Sequence, residues 1–514
     1  MRSRDQSFGI GWLFWFRIIL MKIDLRSRIL QLLRAPRYQP LDKVELSKKI
    51  GLSSDERGKL RALLQEMERC GEIARIRKDR YVIPAAADLC TGILQVHASG
   101  GAHVLCETGG ADLYVSAENT GVAMNGDRVV ARTMTGGVGR RGRPAQKEGS
   151  VIRILERAHD TIVGTLQQSK NFFYVVPDDT RLVHNVYVRP LSGAAQRPRE
   201  EVQQPETAAV IGDKVVVRLE EWKSRNINPE GEIIEVLGPA GAPGVDMLSI
   251  IRKHHLPTTF PDAVLHEAEK ISETIDDREV ALREDLRAQM IVTIDPDDAK
   301  DFDDAIHVER VGDGWRLGVH IADVSHYVRP GSALDREAFE RGNSVYLVDR
   351  VIPMLPEKLS NGVCSLKPHV DRLTQSVFID FTRAGKIKSA RFGRSVIRSA
   401  HRFTYKEAFA ALQKPAHDAL TERLHTAWEL AALLRKNRFA HGSLDLDFPE
   451  VKVWLDGEGK PARLEKLEND ISHQLVEEFM LAANETVARE IKNRQVPGVY
   501  RIHDNPDKEK LAEF

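Results

Sequence analysis

The chain has 514 residues and a mass of 57.8 kDa, too long for one hydrophobic core, so several domains are expected. At 42% hydrophobic and 29% charged residues it lies in the ordinary globular range, which excludes the disordered class. Lys+Arg and Asp+Glu are 75 each, so net charge names no partner, although a neutral sum can hide a basic nucleic-acid face and an acidic site.

In chain order, "FGIGWLFWFRIIL" (8–20) is apolar but shorter than the ~20 residues that span a bilayer. Arg17 interrupts it, no small-x-small cleavage site follows, and Met21 opens a plausible soluble domain. Residues 1–21 therefore read as an extension or a start called too early, with a membrane anchor as the alternative. Residues 22–85 hold three amphipathic stretches, the last with Leu60, Leu63, Leu64 and Met67 on one face, and then "IARIRKDRYVIP", two short strands around Lys78-Asp79. Three helices and a wing predict a winged helix-turn-helix, which often binds nucleic acid; a protein-docking module is the bland alternative.

From residue 88 the period shortens. Residues 88–136 and 159–238 each carry a glycine-led first strand and a late "GD" before a valine run, as two five-stranded OB or cold-shock barrels would. In the second, Phe172, Phe173 and Tyr174 offer rings on which bases could stack, although strand alternation turns at least one inward. Residues 137–158, with "GGVGRRGRPAQKEG", read as a basic linker that is either solvated or tracks phosphates. Residues 239–279 read as a connector, and 280–514 mix strands and helices as an α+β domain. The cysteines, Cys70, Cys90, Cys106 and Cys364, form no CxxC pair, so reduced thiols are expected.

"IDPDDAKDFDDAI" (294–306) crowds Asp295, Asp297, Asp298, Asp301, Asp303 and Asp304 between two apolar flanks. Counted as a calcium loop it fails, because positions 5, 6 and 12 are Ala299, Lys300 and Ile306. A solvated acidic turn remains open, although Phe302 argues for partial burial. The third reading is a magnesium site, in which Asp295, Asp301, Asp303 and Asp304 surround two cations ~4 Å apart that hold a phosphodiester in line.

"TIDPDDAKDFDDAI", the run from "GWRLGVHIADVSHYVRPG" to "SLKPHVDRL", and "HQLVEEFMLAANETVARE" resemble, in this order, the RNB catalytic domain of the ribonuclease II/ribonuclease R exoribonucleases. The winged helix and two barrels upstream resemble the ribonuclease R branch. The resemblance implies a multidomain chain with an N-terminal winged helix-turn-helix, two OB/cold-shock β-barrels and an α+β RNB domain. It implies processive, magnesium-dependent 3′→5′ hydrolysis of single-stranded or structured RNA to nucleoside 5′-monophosphates. Carried over, Asp295, Asp301 and Asp304 are metal ligands, Asp303 acts on the attacking water, Tyr346 stacks on the 3′-terminal nucleotide, and Glu477 lines the same pocket. His320, His326 and His503 are structural. Where relatives often place a second stacking aromatic stands Leu446, with Phe448 two residues on. An arginine-bearing segment and a C-terminal RNA-binding barrel would follow Phe514, so a truncated RNB domain of reduced activity is expected. The implied setting is cytoplasmic and monomeric, without stable membrane association, with RNA as partner and ribosomes or RNA-decay factors as candidate partners. The alternative is an RNA-binding protein whose nuclease domain is defective.

Overall fold

Two compact units divide the chain, 1–255 and 256–514. The structure is a computed structural model that describes residues 25–36, 38–52, 54–98, 100–107, 112–134, 147–170, 172–189, 209–444, 450–502, 505 and 507–513. The apolar N-terminal stretch, Leu446, Phe448 and His503 lie outside the described residues. Among the described residues no helix is long and apolar enough to cross a membrane.

The first unit opens with helices α1 (Leu25–Leu33), α2 (Lys43–Ile50) and α3 (Ser54–Arg69), followed by a hairpin of β1 (Ala74–Ile76) and β2 (Arg80–Val82). Asp42 and Glu45 form a capping box at the start of α2, and Gly51 ends it in the left-handed region. Ile29, Leu46, Leu60, Leu64 and Met67 meet in one core beneath the hairpin residue Tyr81. The hairpin turns at Lys78 and Asp79, where the sequence pattern breaks.

Strands β3 (Leu89–Val96), β4 (Ala102–Cys106), β5 (Leu113–Val115), β6 (Arg128–Met134) and β7 (Glu148–Glu156) close a barrel in the order β3-β4-β5-β7-β6. Strands β8 (Thr161–Ser169), β9 (Phe172–Pro177), β10 (Val186–Val188), β11 (Asp213–Leu219) and β12 (Glu230–Pro239) repeat that order in a second barrel. The shared sequence features have shared causes. A Cβ on Gly92 would stand 2.0 Å from Leu105 O, and one on Gly164 would stand 2.3 Å from Val176 O, so each first strand needs glycine where its neighbour crosses closely. The "GD" aspartates are buried and accept from backbone N–H groups three residues back, Asp127 from Met124 and Asp213 from Val210.

Three expectations change here. Residues 148–156, assigned to the basic linker, form β7, because a five-stranded barrel cannot close without a partner for β5 and β6. Cys90 and Cys106 are joined as a disulfide rather than free, since antiparallel β3 and β4 set their Cα atoms 6.0 Å apart, while Cys70 and Cys364 stay free. The connector contains α4 (Val245–Lys253), which packs on the second barrel and belongs to the first unit.

The second unit begins with α5 (Asp262–Glu269) and α6 (Asp277–Ala281). Its seven-stranded mixed sheet comprises β13 (Glu284–Asp285), β14 (Val292–Asp295), β15 (Asp304–Val311), β16 (Gly314–Ala322), β19 (Asp371–Phe381), β20 (Ile387–Arg398) and β21 (His401–Thr404), in the order β13-β20-β19-β16-β15-β14-β21. Between β16 and β19 lie α7 (Val324–Tyr327), α8 (Ala333–Arg341) and the hairpin of β17 (Val345–Tyr346) and β18 (Val351–Ile352). After β21 come α9 (Tyr405–Leu412), α10 (Ala419–Ala440), the hairpin β22 (Glu450–Leu455) and β23 (Pro461–Leu467), α11 (Ile471–Asn493) and α12 (Lys508–Glu513).

Alternation along the strands gives the sheet two cores. Ile294, Ile306, Val319 and Ile379 pack against Leu430 of α10 and Phe479 of α11. On the other face Ala305, Ala322, Phe378 and Ile397 meet Val264 of α5 and Leu334 of α8. His307 and His320 share this second face. A 2.9 Å hydrogen bond joins His307 Nδ1 to His320 Nε2, and His320 Nδ1 lies 2.7 Å from Ser376 Oγ, so His320 is a fully buried structural residue.

Candidate active site

Asp295 ends β14 and Asp304 begins β15, so the acidic loop is the turn between two adjacent strands, in antiparallel register at Val292 and Ile306. The loop is fastened inward. Ser365 Oγ accepts from Phe302 N at 3.1 Å and donates to Lys300 O at 2.7 Å, and Leu366 N donates to Phe302 O at 2.9 Å. Phe302 is buried, which rules out a wholly solvated turn.

The six aspartates fall into two groups. Asp297 meets Lys406 Nζ at 2.7 Å and Asp298 meets Lys452 Nζ at 2.8 Å, so these two are exposed but neutralised rather than merely solvated. Among the described residues the other four have no such lysine. Asp295 is 8% exposed, and burial, reinforced by Asp304 and Asp301, pushes its carboxyl up to about 6. Burial followed by repulsion from Asp303 likewise lifts Asp304 to about 6. Asp303 reaches solvent but is crowded by protein atoms, and that desolvation together with Asp301 raises it as well. Asp301 Oδ2 accepts from the hydroxyl of Tyr346 at 3.2 Å, and Tyr346, on β17, is otherwise largely exposed.

Buried polar atoms without a hydrogen-bond partner concentrate at the same place. Asp295 Oδ2, Thr293 Oγ1 and Arg402 Nε are three of the four among the described residues, and β14 pairs with β21 at Thr293↔Arg402 and Asp295↔Thr404. Such orphans call for a polar occupant. The donors are hard carboxylate oxygens, which suits magnesium rather than a soft metal. Among the described residues no three acidic, histidine or cysteine side chains converge on one point. Unscreened carboxylates repel, and magnesium characteristically takes one or two carboxylates and completes its octahedron with water and phosphate oxygens. The set fits that mode and is not a preformed cage.

Two neighbours escaped the sequence reading. Tyr405 follows Thr404 at the start of α9, and burial next to Asp304 and Asp295 holds its phenol up at about 12. His473 stacks on its ring at a centroid distance of 3.9 Å, and Asp470, the N-cap of α11, lies 3.0 Å from His473 Nδ1. The available signal was the i,i+4 spacing of His473 and Glu477 on one helix face. Glu477 itself is engaged by Arg438 of α10 at 3.3 Å, and no hydrogen bond among the described residues ties it to the aspartates.

On the second barrel, alternation along β9 buries Phe173 in the core, so it is not a stacking residue. Phe172 and Tyr174 occupy the outer face. Tyr187 of β10 joins them, paired with Tyr174 in register and edge-on to Phe172 at 6.4 Å.

Three domain families match the chain in sequence: the ribonuclease B OB domain at 92–154, the cold shock domain at 174–261 and the RNB domain at 283–514. Ribonuclease R of Thermotoga maritima is 39% identical over 486 residues, covering 93% of this chain and 66% of the relative. Ribonuclease R of Acidithiobacillus ferrooxidans is 40% identical over 408 residues, covering 78% of this chain and 89% of the relative. Among solved structures, Mycoplasma genitalium RNase R in complex with ribose-methylated single-stranded RNA superimposes with a TM-score of 0.71 at 28% identity, over 82% of this chain and 65% of that one. The chain thus spans just under two thirds of the Thermotoga relative. Likeness at this level, carried through barrels and sheet alike, makes the chain a member of the ribonuclease R family.

Proposed function

We propose that the chain shortens single-stranded RNA from its 3′ end, releasing nucleoside 5′-monophosphates processively, with magnesium as its cation. The observation that carries this reading is the buried Asp295 Oδ2, an oxygen without a hydrogen-bond partner, beside three further aspartates at the β14–β15 turn. Asp295, Asp301 and Asp304 are the carboxylates that would hold the cation, with water and phosphate oxygens completing its shell rather than a closed three-carboxylate cage. When bound, magnesium supplies counter-charge to the carboxylates and to the phosphate. Asp303, at the open side, orients the attacking water and receives its proton. Tyr346 places an exposed ring beside Asp301, and stacking on it, at ~1–3 kcal/mol per base, holds the terminal nucleotide without selecting its identity. Glu477 lines the same pocket, and a 2′-hydroxyl is the group by which RNA is told from DNA. Phe172, Tyr174 and Tyr187 form a sequence-tolerant stacking face on the second barrel, and the winged helix-turn-helix of residues 22–85 binds nucleic acid. The names of the relatives, and the single-stranded RNA in the Mycoplasma complex, support RNA as substrate. A cytoplasmic monomer accords with the reading.

The test is a 5′-labelled single-stranded RNA incubated with magnesium and either the chain or its Asp303→Asn variant. A ladder receding from the 3′ end that the variant abolishes is expected. A second reading, an RNA-binding protein with a defective nuclease domain, draws on the absence of three converging donors among the described residues. Retarded but uncut RNA with both proteins would establish it instead.

A further inference from the structure

The first unit holds a concave site that the nuclease reading leaves unused. A cavity of about 220 Å3 opens between the two barrels, floored by Thr120, Gly121 and Asn125 of the first. Its walls are His184 and Trp222 of the second barrel, together with Lys253 and His255 at the end of α4. The walls are fixed by hydrogen bonds. Arg225 Nη1 donates across the barrels to Thr120 Oγ1 at 3.0 Å, and His184 Nε2 lies 3.0 Å from Arg225 O. Trp222 Nε1 donates to the carbonyls of Ser224 and Ile227, both at 2.8 Å, and its ring meets His184 edge-on at 5.0 Å.

At the mouth His159 and His255 stack face to face, with ring centroids 3.6 Å apart. His255 is held in the left-handed region (φ 51), which a side-chain-bearing residue adopts rarely and often at functional positions. Of the lining residues only Asp179 carries a carboxylate, and Arg181 engages it in a fork at 2.8 and 2.7 Å. Arg225 and Lys253 remain as excess positive charge. The site is therefore aromatic on its walls and cationic in sum, suited to a planar ring carrying an anion. It is smaller than the roughly 300–1,000 Å3 of sites for drug-sized ligands, so it admits one ring system rather than a run of them.

We propose that the cavity between the barrels is a nucleotide site, with the base on the imidazole stack and Trp222 and the phosphate toward Arg225 and Lys253. The occupant is either a free nucleoside monophosphate or one nucleotide of an RNA strand. Equilibrium dialysis of the full chain with adenosine 5′-monophosphate, and separately with a short oligoribonucleotide, distinguishes these sources. The rim double variant His159→Ala/Lys253→Met keeps the Arg225, His184 and Trp222 hydrogen bonds and loses only that from Lys253 Nζ to Asp178 O at 3.2 Å, and circular dichroism checks its fold. If the site takes free nucleotide, that variant loses roughly tenfold or more in affinity for the monophosphate while Asp303→Asn keeps it. If the site takes strand nucleotides, the same loss is read with the oligoribonucleotide alone. Equal binding of both probes by the rim variant and the unaltered chain overturns the proposal. So does monophosphate binding that disappears in Asp303→Asn but survives in the rim variant. Cleavage by the aspartate cluster, measured in its own assay, stands or falls separately.

Discussion

Keeping Asp295 ionised in its buried position costs the fold stability, and the sign of that cost makes it measurable. The carboxyl titrates at about 6 when folded, against 3.8 unperturbed, so the folded chain holds the proton longer than the unfolded one. The associated stability is fully present below the unperturbed value and is lost as pH rises through about 6. At pH 7 the ionised group thus opposes folding, by up to ~3 kcal/mol at 1.36 kcal/mol per unit. Asp295→Asn in chelator-treated protein is expected to raise stability by about 1–2 kcal/mol in urea titrations at pH 7, once relaxation is allowed for. Added magnesium should then stabilise the unaltered chain by mass action and leave the variant nearly unmoved. A variant less stable than the original without cation would mean that Asp295 has a stabilising partner.

Within single elements, alternation settles which aromatic residue does which work. Phe173 fills the core of the second barrel while Phe172 is 65% exposed on the same strand. Phe173→Ala is expected to cost ~3–5 kcal/mol of stability. Phe172→Ala should leave the melting temperature in place and weaken single-stranded RNA binding by ~1–3 kcal/mol, read by fluorescence anisotropy. The histidine pair spanning β15 and β16 gives the sheet an acid limit. Burial holds His307 down at about 4 and keeps His320 well below its ordinary value, so the unfolded chain binds more protons below pH 6.5. Stability is intact above that pH and falls as pH drops toward 4, at about 1.4 kcal/mol per pH unit for each histidine. The slope is opposite to that of Asp295. A His307→Gln variant, compared with the unaltered chain in urea at pH 7, 6 and 5, should show a shallower acid decline.

What the sequence revealed follows from where the information lies. The aspartates are legible because one turn carries all of them, and the two barrels because Gly92 and Gly164, Asp127 and Asp213 recur at matching places. Strand β7 was hidden because a Gly/Arg-rich run precedes it and its partners, β5 and β6, are identified only by closure. Tyr405, Arg402 and His473 were hidden for another reason. They are ordinary residue types contributed from 107 to 178 positions beyond Asp295, and only the register of β14 with β21 and the capping of α11 bring them to it.

At the scale of the whole chain, the exposed aromatic face of the second barrel and the carboxylate cluster belong to different compact units. Each unit has its own hydrophobic clusters, so two melting transitions rather than one are expected in calorimetry. Magnesium held at the proposed site would favour only the native form of the second unit, and it should therefore move only that unit's transition, by an amount set by cation concentration over dissociation constant. Gly164→Ala drives a Cβ to 2.3 Å from a strand carbonyl and should lower only the first transition. Asp295→Asn should remove the magnesium shift of the second transition and leave the first in place. One cooperative transition, shifted alike by cation and by Gly164→Ala, would show that the units unfold together and that the cation site stabilises the two barrels as well.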